Sequence, residues 1–273
     1  MASYRTRFAP SPTYYLHLGH ALSAFHVWRA AEVAGGEVFL RIEDIDTTRC
    51  RPDYTQAIYE DLHWLGLTWP EPVRVQSDHF ADYADCVARL DAQGLAYRCF
   101  RTRTQLAQLP NPAEPGPHSV NEEARLLAEG QPYAWRLSLQ AARARLGKQW
   151  QALSYTEQGP KGRVTHPAHP ERHGDVVIAR KDSPSAYHIA ATHDDALQGM
   201  THIVRGEDLV DAPHIHVLLQ ALFDWPQPIY QHHKLLLGPD GEKLSKRQQS
   251  ITLASLRADG MTADQVRTRL GFS

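Results

Sequence analysis

Two stretches of this sequence carry residues in arrangements that could handle phosphate: RFAPSPTYYLHLGH, from Arg7 to His20, and GEKLSKR, from Gly241 to Arg247. In the first, His17 and His20 straddle the end of a loop that leads into a helical pattern. There, imidazole N–H groups and the free amides of a helix N-terminus can meet anionic oxygens. In the second, Lys243 and Lys246 follow Pro239, Asp240 and Gly241 on a turn, and their ammonium heads can swing over a polyphosphate. Taken singly, each stretch has an ordinary explanation, since an HxxH near a helix start is commonly incidental and basic loops are usually solvated surface. Together and in order on one α/β frame, they predict a clamp that grips a triphosphate from both sides.

The frame can be read from hydrophobic periodicity. Tyr4 to Ala9 reads as a strand, Pro10 and Pro12 force an extended connection, and Leu22, Phe25, Trp28 and Ala31 mark one face of a helix. Gly35 and Gly36 end that helix, and GEVFLRIED follows as an apolar run closing on Arg41, Glu43 and Asp44. The result is a βαβ unit with parallel strands, in which ligands sit beyond the carboxyl ends of the strands. Further helices are predicted from Pro52 to Leu65 and from Phe80 to Leu90. PNPAEPGP, with four prolines in eight residues, reads as a loop inside an inserted subdomain whose elements are a helix near Asn121 to Glu129 and a strand YAWRLSL. From Asp175 the α/β alternation returns: strand DVVIAR, helix Ser185 to Leu197, strand THIVRGEDL and a helix through Ile215, Leu218, Leu219 and Leu222. The spacing T-A-D-Q at Thr262 to Gln265 opens a terminal helix.

Bulk properties set limits on function. The chain has 273 residues, is 42% hydrophobic and 22% charged, and has a net charge of −2. That composition excludes disordered, collagen-like and coiled-coil classes, and the near-neutral charge excludes a protein that coats nucleic acid by bulk electrostatics. No apolar run is long enough for a membrane span, and the N-terminus lacks a secretory pattern, so a cytoplasmic protein is expected. Cys50, Cys86 and Cys99 are too few and too scattered for a disulfide framework. The 16 histidines are expected to be mostly surface and packing residues, not a metal tract.

RFAPSPT, HLGH, LRIEDID, VRGEDL and KLSKR, in this order, resemble the catalytic core of class I glutamyl-tRNA synthetases, over about residues 5 to 98 and 174 to 250. HLGH matches the "HIGH" motif and KLSKR the "KMSKS" motif. The short chain resembles most closely the branch that lacks the anticodon-binding domain, the glutamyl-Q tRNA(Asp) synthetases. The resemblance implies a Rossmann-type parallel-sheet catalytic core with an inserted α+β subdomain and a short helical C-terminal segment. The corresponding divisions are 1–98, 99–173, 174–238 and 239–273. It implies activation of L-glutamate by ATP with Mg2+, then transfer to queuosine in the anticodon stem-loop of tRNA(Asp), by a monomer. Residue by residue, it implies that His17, Gly19, His20, Lys243, Ser245 and Lys246 bind ATP, with His17, His20, Lys243 and Lys246 also catalytic. Glutamate falls to Arg7, Ala9, Ser11, Glu43, Tyr187 and Arg205. The chemistry agrees, because a carboxylate suits the planar fork of an arginine and an ammonium suits an anion such as Glu43. Without the motifs, Arg7, Glu43 and Arg205 would simply be expected to pair with one another at a strand edge.

Three positions depart from the family pattern. Tyr14, followed by Tyr15, stands where the family has glycine after SPT, and would either crowd the pocket or point outward. The family's zinc-binding Cys-x-Cys has become Cys99, Phe100, Arg101, and no cysteine follows; one thiol cannot build a four-ligand site, so no zinc is expected and packing alone must hold Arg101 to Ser119. Asp194 and Asp195, beside His193, are expected to serve capping and solvation. The alternatives to the leading function are glutamate adenylation with a different acceptor (a small molecule, a carrier protein or another tRNA) and a synthetase-like binding protein without catalysis. Lys246→Ala is expected to lower adenylate formation by about tenfold or more with the fold intact. Unchanged ATP–pyrophosphate exchange would remove Lys246 from the mechanism.

Overall fold

The computed structural model describes residues 3–237 and 251–272. The lysine-rich motif, with Lys243, Ser245 and Lys246, lies outside the described residues. The chain begins with β1 (Arg5–Phe8), α1 (Leu18–Ala34) and β2 (Glu37–Ile42). β1 and β2 pair in parallel, from Arg5 opposite Glu37 to Phe8 opposite Leu40. Gly35 closes α1 in the left-handed region at φ 62°, which a residue without Cβ adopts at little cost. α2 (Pro52–Trp64) has proline in its first turn, and β3 (Arg74–Val75) adds in parallel to β2. Ile58, Leu62 and Leu65 are almost wholly buried beneath this sheet, each contributing about 1.5–3 kcal/mol.

After α3 (Phe80–Ala92) come β4 (Ala96–Cys99), α4 (Arg103–Ala107), α5 (Val120–Ala128), β5 (Ala134–Leu137), α6 (Leu139–Leu146) and α7 (Lys148–Gln151). Next are the hairpin β6 (Ser154–Gly159) and β7 (Gly162–Pro167), then β8 (Val177–Ala179) and α8 (Tyr187–Leu197). The described elements end with β9 (His202–Gly206), α9 (Pro213–Phe223), β10 (Ile229–His233), α10 (Leu253–Ala258) and α11 (Ala263–Arg269). Thr262 and Gln265 form the capping box expected of their spacing.

Two sheets build one platform. β3, β2 and β1 are followed by β9, β10, β6 and β7, with the seam between β1 and β9 closed by Thr201 N donating to Arg5 O (3.0 Å) and Arg5 N donating to Thr201 Oγ1 (2.8 Å). All pairings in these two sheets are parallel except β6 with β7. This is the Rossmann-type core. The strand in DVVIAR, β8, does not join it but pairs antiparallel with β5, in a separate sheet ordered β4, β5, β8. Asp175 explains that placement: its carboxylate accepts from Tyr97 Oη (2.7 Å) and Leu139 N (2.8 Å), drawing the strand toward β4 and α6. The proline-rich loop is tied at two points, by Asp175 N donating to Ala113 O (2.8 Å) and Arg101 Nη1 donating to Gly116 O (2.8 Å). Among the described residues, no helix is long and apolar enough to cross a membrane.

Asp61 on α2 is buried, and neither carboxylate oxygen has a hydrogen-bond partner among the described residues. Burial pushes its pKa up to about 6, only partly offset by Arg257 of α10, whose Nη1 lies 3.7 Å from Oδ1. Such an acid binds its proton more tightly folded than unfolded, so its contribution to stability falls as pH rises from 3.8 through about 6. Asp61→Asn is therefore expected to stabilise the protein against urea by about 1–3 kcal/mol at pH 8, with the gain shrinking toward about pH 4. An equal difference at both pH values would contradict this account.

Candidate active site

The carboxyl ends of β1, β2 and β9 and the first turn of α1 enclose a cleft of about 600 Å³. Arg7, Ala9, Ser11, His17, Gly19, His20, Glu43, Tyr187 and Arg205 all line it, so every described residue assigned from the sequence to ATP or glutamate reaches one cavity. Lys243, Ser245 and Lys246 lie outside the described residues. The residues on either side of that motif do reach the site: Leu235 and Leu236 line the cleft, and Thr252 forms an antiparallel bridge with His17, with Leu253 N donating to Leu16 O (2.8 Å).

The loop after β1 is clipped to the end of β2. Glu43 N donates to Pro10 O (3.1 Å), Ser11 Oγ donates to Glu43 O (2.6 Å), and Arg51 N donates to Pro12 O (3.1 Å). The loop then delivers His17 as the N-cap of α1. His17 Nδ1 accepts from Gly19 N (3.1 Å) and His20 Nδ1 accepts from His17 N (3.1 Å), a capping box built from two imidazoles. With both Nδ1 atoms accepting, the proton of each neutral ring sits on Nε2, which makes that nitrogen a donor suited to phosphate oxygen. The rings are 3.9 Å apart between centroids. A Cβ at position 19 would lie 2.9 Å from His17 Cε1, so any larger residue there would push the ring out of this position.

Arg7, Glu43 and Arg205 do not pair with one another. Arg7 Nε binds Asp195 Oδ1 (3.0 Å), and Arg41, fully buried, binds the same oxygen through Nη2 (2.9 Å). Arg41 also reaches Glu43 Oε1 through Nη2 (3.1 Å) and Gln198 Oε1 through Nη1 (3.0 Å). Burial alone would lower the Arg41 pKa, but Asp195, Glu43 and Asp194 hold it above its ordinary value. Burial pushes the Glu43 carboxyl up, opposed by Arg41 and Arg7 and reinforced by Asp195. Arg205 donates through Nε to His232 Nε2 (3.2 Å) and through Nη1 to Tyr187 Oη (3.3 Å), and its Nη2 is buried with no hydrogen-bond partner among the described residues. Burial raises the Tyr187 pKa against the pull of Arg205, so the phenol keeps a proton to donate.

Asp194 and Asp195 are therefore not solvated capping residues, as the sequence had suggested. Both are buried, and both are clamped by side chains from distant segments. Asp194 accepts from Arg74 Nε (2.8 Å), Gln76 Nε2 (2.9 Å) and Tyr83 Oη (2.8 Å). Although burial opposes ionisation, hydrogen bonds from His193 and Gln76 and the charges of Arg41 and Arg74 hold its pKa down to about 2. β1 buries Thr6 and Phe8 on one face and Arg7 on the other, so the strand is covered on both sides; a charged residue inside such a strand was the one signal in the sequence, because a buried guanidinium needs an acid.

Tyr14 does not line the cleft. It packs on the outer side, with its ring 5.9 Å from Tyr54 of α2 and 5.8 Å from Tyr15, and about 39% of it is exposed. Its φ is not positive, so the residue following Thr13 needs none of glycine's conformational freedom here. Cys99 is buried in β4 opposite Ala134, and among the described residues no group of three or more His, Cys, Asp or Glu side chains is placed to hold a metal.

Removing the charge at Asp195 leaves Arg7 and Arg41 buried without their shared counter-ion. Asp195→Asn is expected to destabilise the protein by about 3 kcal/mol or more, whereas Asp182→Asn, at an exposed pair with Arg180, should change stability by about 0–1 kcal/mol. Parallel urea titrations of the two variants check this, and equal effects would show that the buried pair carries no special weight.

Residues 3–270 match the family described as tRNA synthetases class I (E and Q), catalytic domain. The glutamyl-Q tRNA(Asp) synthetase of Rhodobacter capsulatus is 40% identical over 98% of this chain and 99% of its own length. The glutamate–tRNA ligase of Aquifex aeolicus is 34% identical over 95% of this chain, which spans only 55% of that protein. A crystal structure of a glutamate tRNA ligase from Elizabethkingia meningosepticum in complex with its amino acid superposes with a TM-score of 0.69 at 28% identity, covering 90% of this chain and 52% of that one. The family match over residues 3–270 and the near end-to-end likeness to the Rhodobacter capsulatus protein place this chain in the class I glutamyl- and glutaminyl-tRNA synthetase family, as a catalytic domain of an ATP-dependent ligase.

Proposed function

We propose that this protein activates L-glutamate with ATP in the absence of tRNA and then transfers the glutamyl group to queuosine in the anticodon of tRNA(Asp). One observation carries the activation step: a single cleft holds an unpartnered buried Arg205 Nη2 and the Glu43 carboxylate at one end and the His17–His20 pair at the helix start. Arg205 and Tyr187 suit the side-chain carboxylate of glutamate, Glu43 suits its ammonium, and Arg7 lies between them on β1. The α-carboxylate oxygen attacks the α-phosphorus of ATP; a P–O bond forms to give glutamyl-adenylate, and the bond to the β-phosphate oxygen breaks to release pyrophosphate. His17 and His20 hold N–H donors toward the phosphates, so the protein contributes position and charge, not a nucleophile. Lys243 and Lys246 neutralise the leaving pyrophosphate in this reading, and magnesium arrives with ATP as part of the substrate.

The choice of acceptor is supported by the near end-to-end match with the Rhodobacter capsulatus protein, whose own name specifies tRNA(Asp). In the same reading, residues 1–98 and 174–238 supply most of the catalytic core, with the β6–β7 hairpin of the inserted segment adding to its sheet and β8 lying outside it, and the protein acts as a cytoplasmic monomer. With a net charge of −2, the RNA footprint is local and its affinity falls steeply with salt.

The test has two stages. Labelled pyrophosphate is expected to exchange into ATP with glutamate but not with aspartate or glutamine, without tRNA. Labelled glutamate is then expected to accumulate on tRNA(Asp) that carries queuosine and not on the same tRNA lacking it. No exchange without tRNA would overturn the activation step as stated, and equal labelling of both tRNAs would overturn the acceptor.

A further inference from the structure

Arg205 is held from behind by a chain of side chains that ends in the inserted segment. β9, β10 and β6 lie side by side in parallel, with His232 directly opposite Arg205 and Tyr230 opposite Glu157. Arg205 Nε donates to His232 Nε2 at 3.2 Å, which requires a lone pair on that nitrogen. The ring proton must then sit on Nδ1, and Nδ1 lies 2.8 Å from Glu157 Oε1. Glu157 Oε2 is in turn 3.3 Å from His166 Nε2, across the β6–β7 hairpin. Burial lowers the pKa of His232, as does the charge of Arg205, while the hydrogen bond to Glu157 opposes them, so the ring is neutral near pH 7. The guanidinium also lies over the Tyr230 ring, 5.2 Å from its centroid.

We propose that Glu157 is a positioning residue for Arg205: it fixes His232 in the Nδ1–H tautomer, whose Nε2 lone pair aims the guanidinium at the substrate's side-chain carboxylate. Without the Glu157 carboxylate, the ring proton is equally at home on Nε2, where two N–H donors would face each other across the Arg205 contact. The guanidinium would then lose the acceptor that sets its plane, while Tyr187 and Tyr230 would still hold its position loosely. The inserted hairpin thus takes part in choosing the amino acid, although Glu157 itself is not among the residues lining the cleft. The inference rests on the glutamate reading above.

The test is the KM for glutamate against the KM for ATP in tRNA-independent pyrophosphate exchange. Glu157→Ala is expected to raise the glutamate KM roughly tenfold and leave the ATP KM within about twofold. Glu157→Gln, whose amide oxygen still accepts from Nδ1–H, is expected to recover most of that loss. His232→Phe, which keeps a ring but removes both nitrogens, should match Glu157→Ala and serves if the alanine variant fails to fold. A hairpin with only a structural role would shift both constants together or lower the active fraction without touching either. An unchanged glutamate KM, an equal rise in the ATP KM, or a glutamine variant as impaired as alanine would each overturn the proposal while wild-type exchange persists. Absence of glutamate-dependent exchange in the wild type would instead overturn the functional reading, and this proposal with it.

Discussion

A guanidinium taken out of water must meet an acid, and this cleft is organised around that requirement. Arg41 is wholly buried and Arg7 nearly so, and a single carboxylate, Asp195, answers both. Because Asp195 sits on α8, it ties the helix carrying Tyr187 to the first two strands of the sheet. Arg41 extends the network to Glu43, so the acid expected to face the substrate's ammonium is itself oriented by the arginine behind it. Such buried ion sets add little net stability over well-packed apolar residues, but they tolerate few geometries. Their contribution here is to fix where charges point.

The opposite wall of the cleft obeys a different constraint, that of unsatisfied backbone at a helix start. The loop from Ala9 to Leu16 cannot extend β1 through its prolines and cannot begin α1 early, so it runs between the two as a strap hydrogen-bonded to the end of β2. Parallel pairing of β1 and β2 then places this strap and Glu43 at the same end of the sheet. The histidines reach the cleft because the chain has nowhere else to begin the helix.

Local features of this molecule could be read from its sequence, and remote ones could not. β1, α1 and β2 follow from prolines, paired glycines and apolar spacing within some forty residues, and the motif residues that line the cleft sit on those elements or at equally local signatures such as VRGED. Asp195 escaped because its partner is 188 positions away, and nothing in THDDALQG distinguishes a buried acid from a solvated one. The strand at Val177–Ala179 was recognisable as a strand, but its neighbour was decided by Asp175 gathering donors from Tyr97 and Leu139. Glu157 was invisible for the same reason: a hairpin glutamate looks like surface until β10 is laid beside β6.

The capping box at His17 and His20 has a consequence for how this protein can be improved. Serine, threonine, asparagine and aspartate cap helices better than histidine, so a search for thermostable variants guided by helix propensity would replace residue 17 early. The helix would survive and strengthen, and the unfolding midpoint would rise. The imidazole that the proposed reaction turns toward phosphate would be gone. Under the proposed reaction, stability and turnover are thus set against each other at one residue, whose imidazole both caps the helix and faces the cleft.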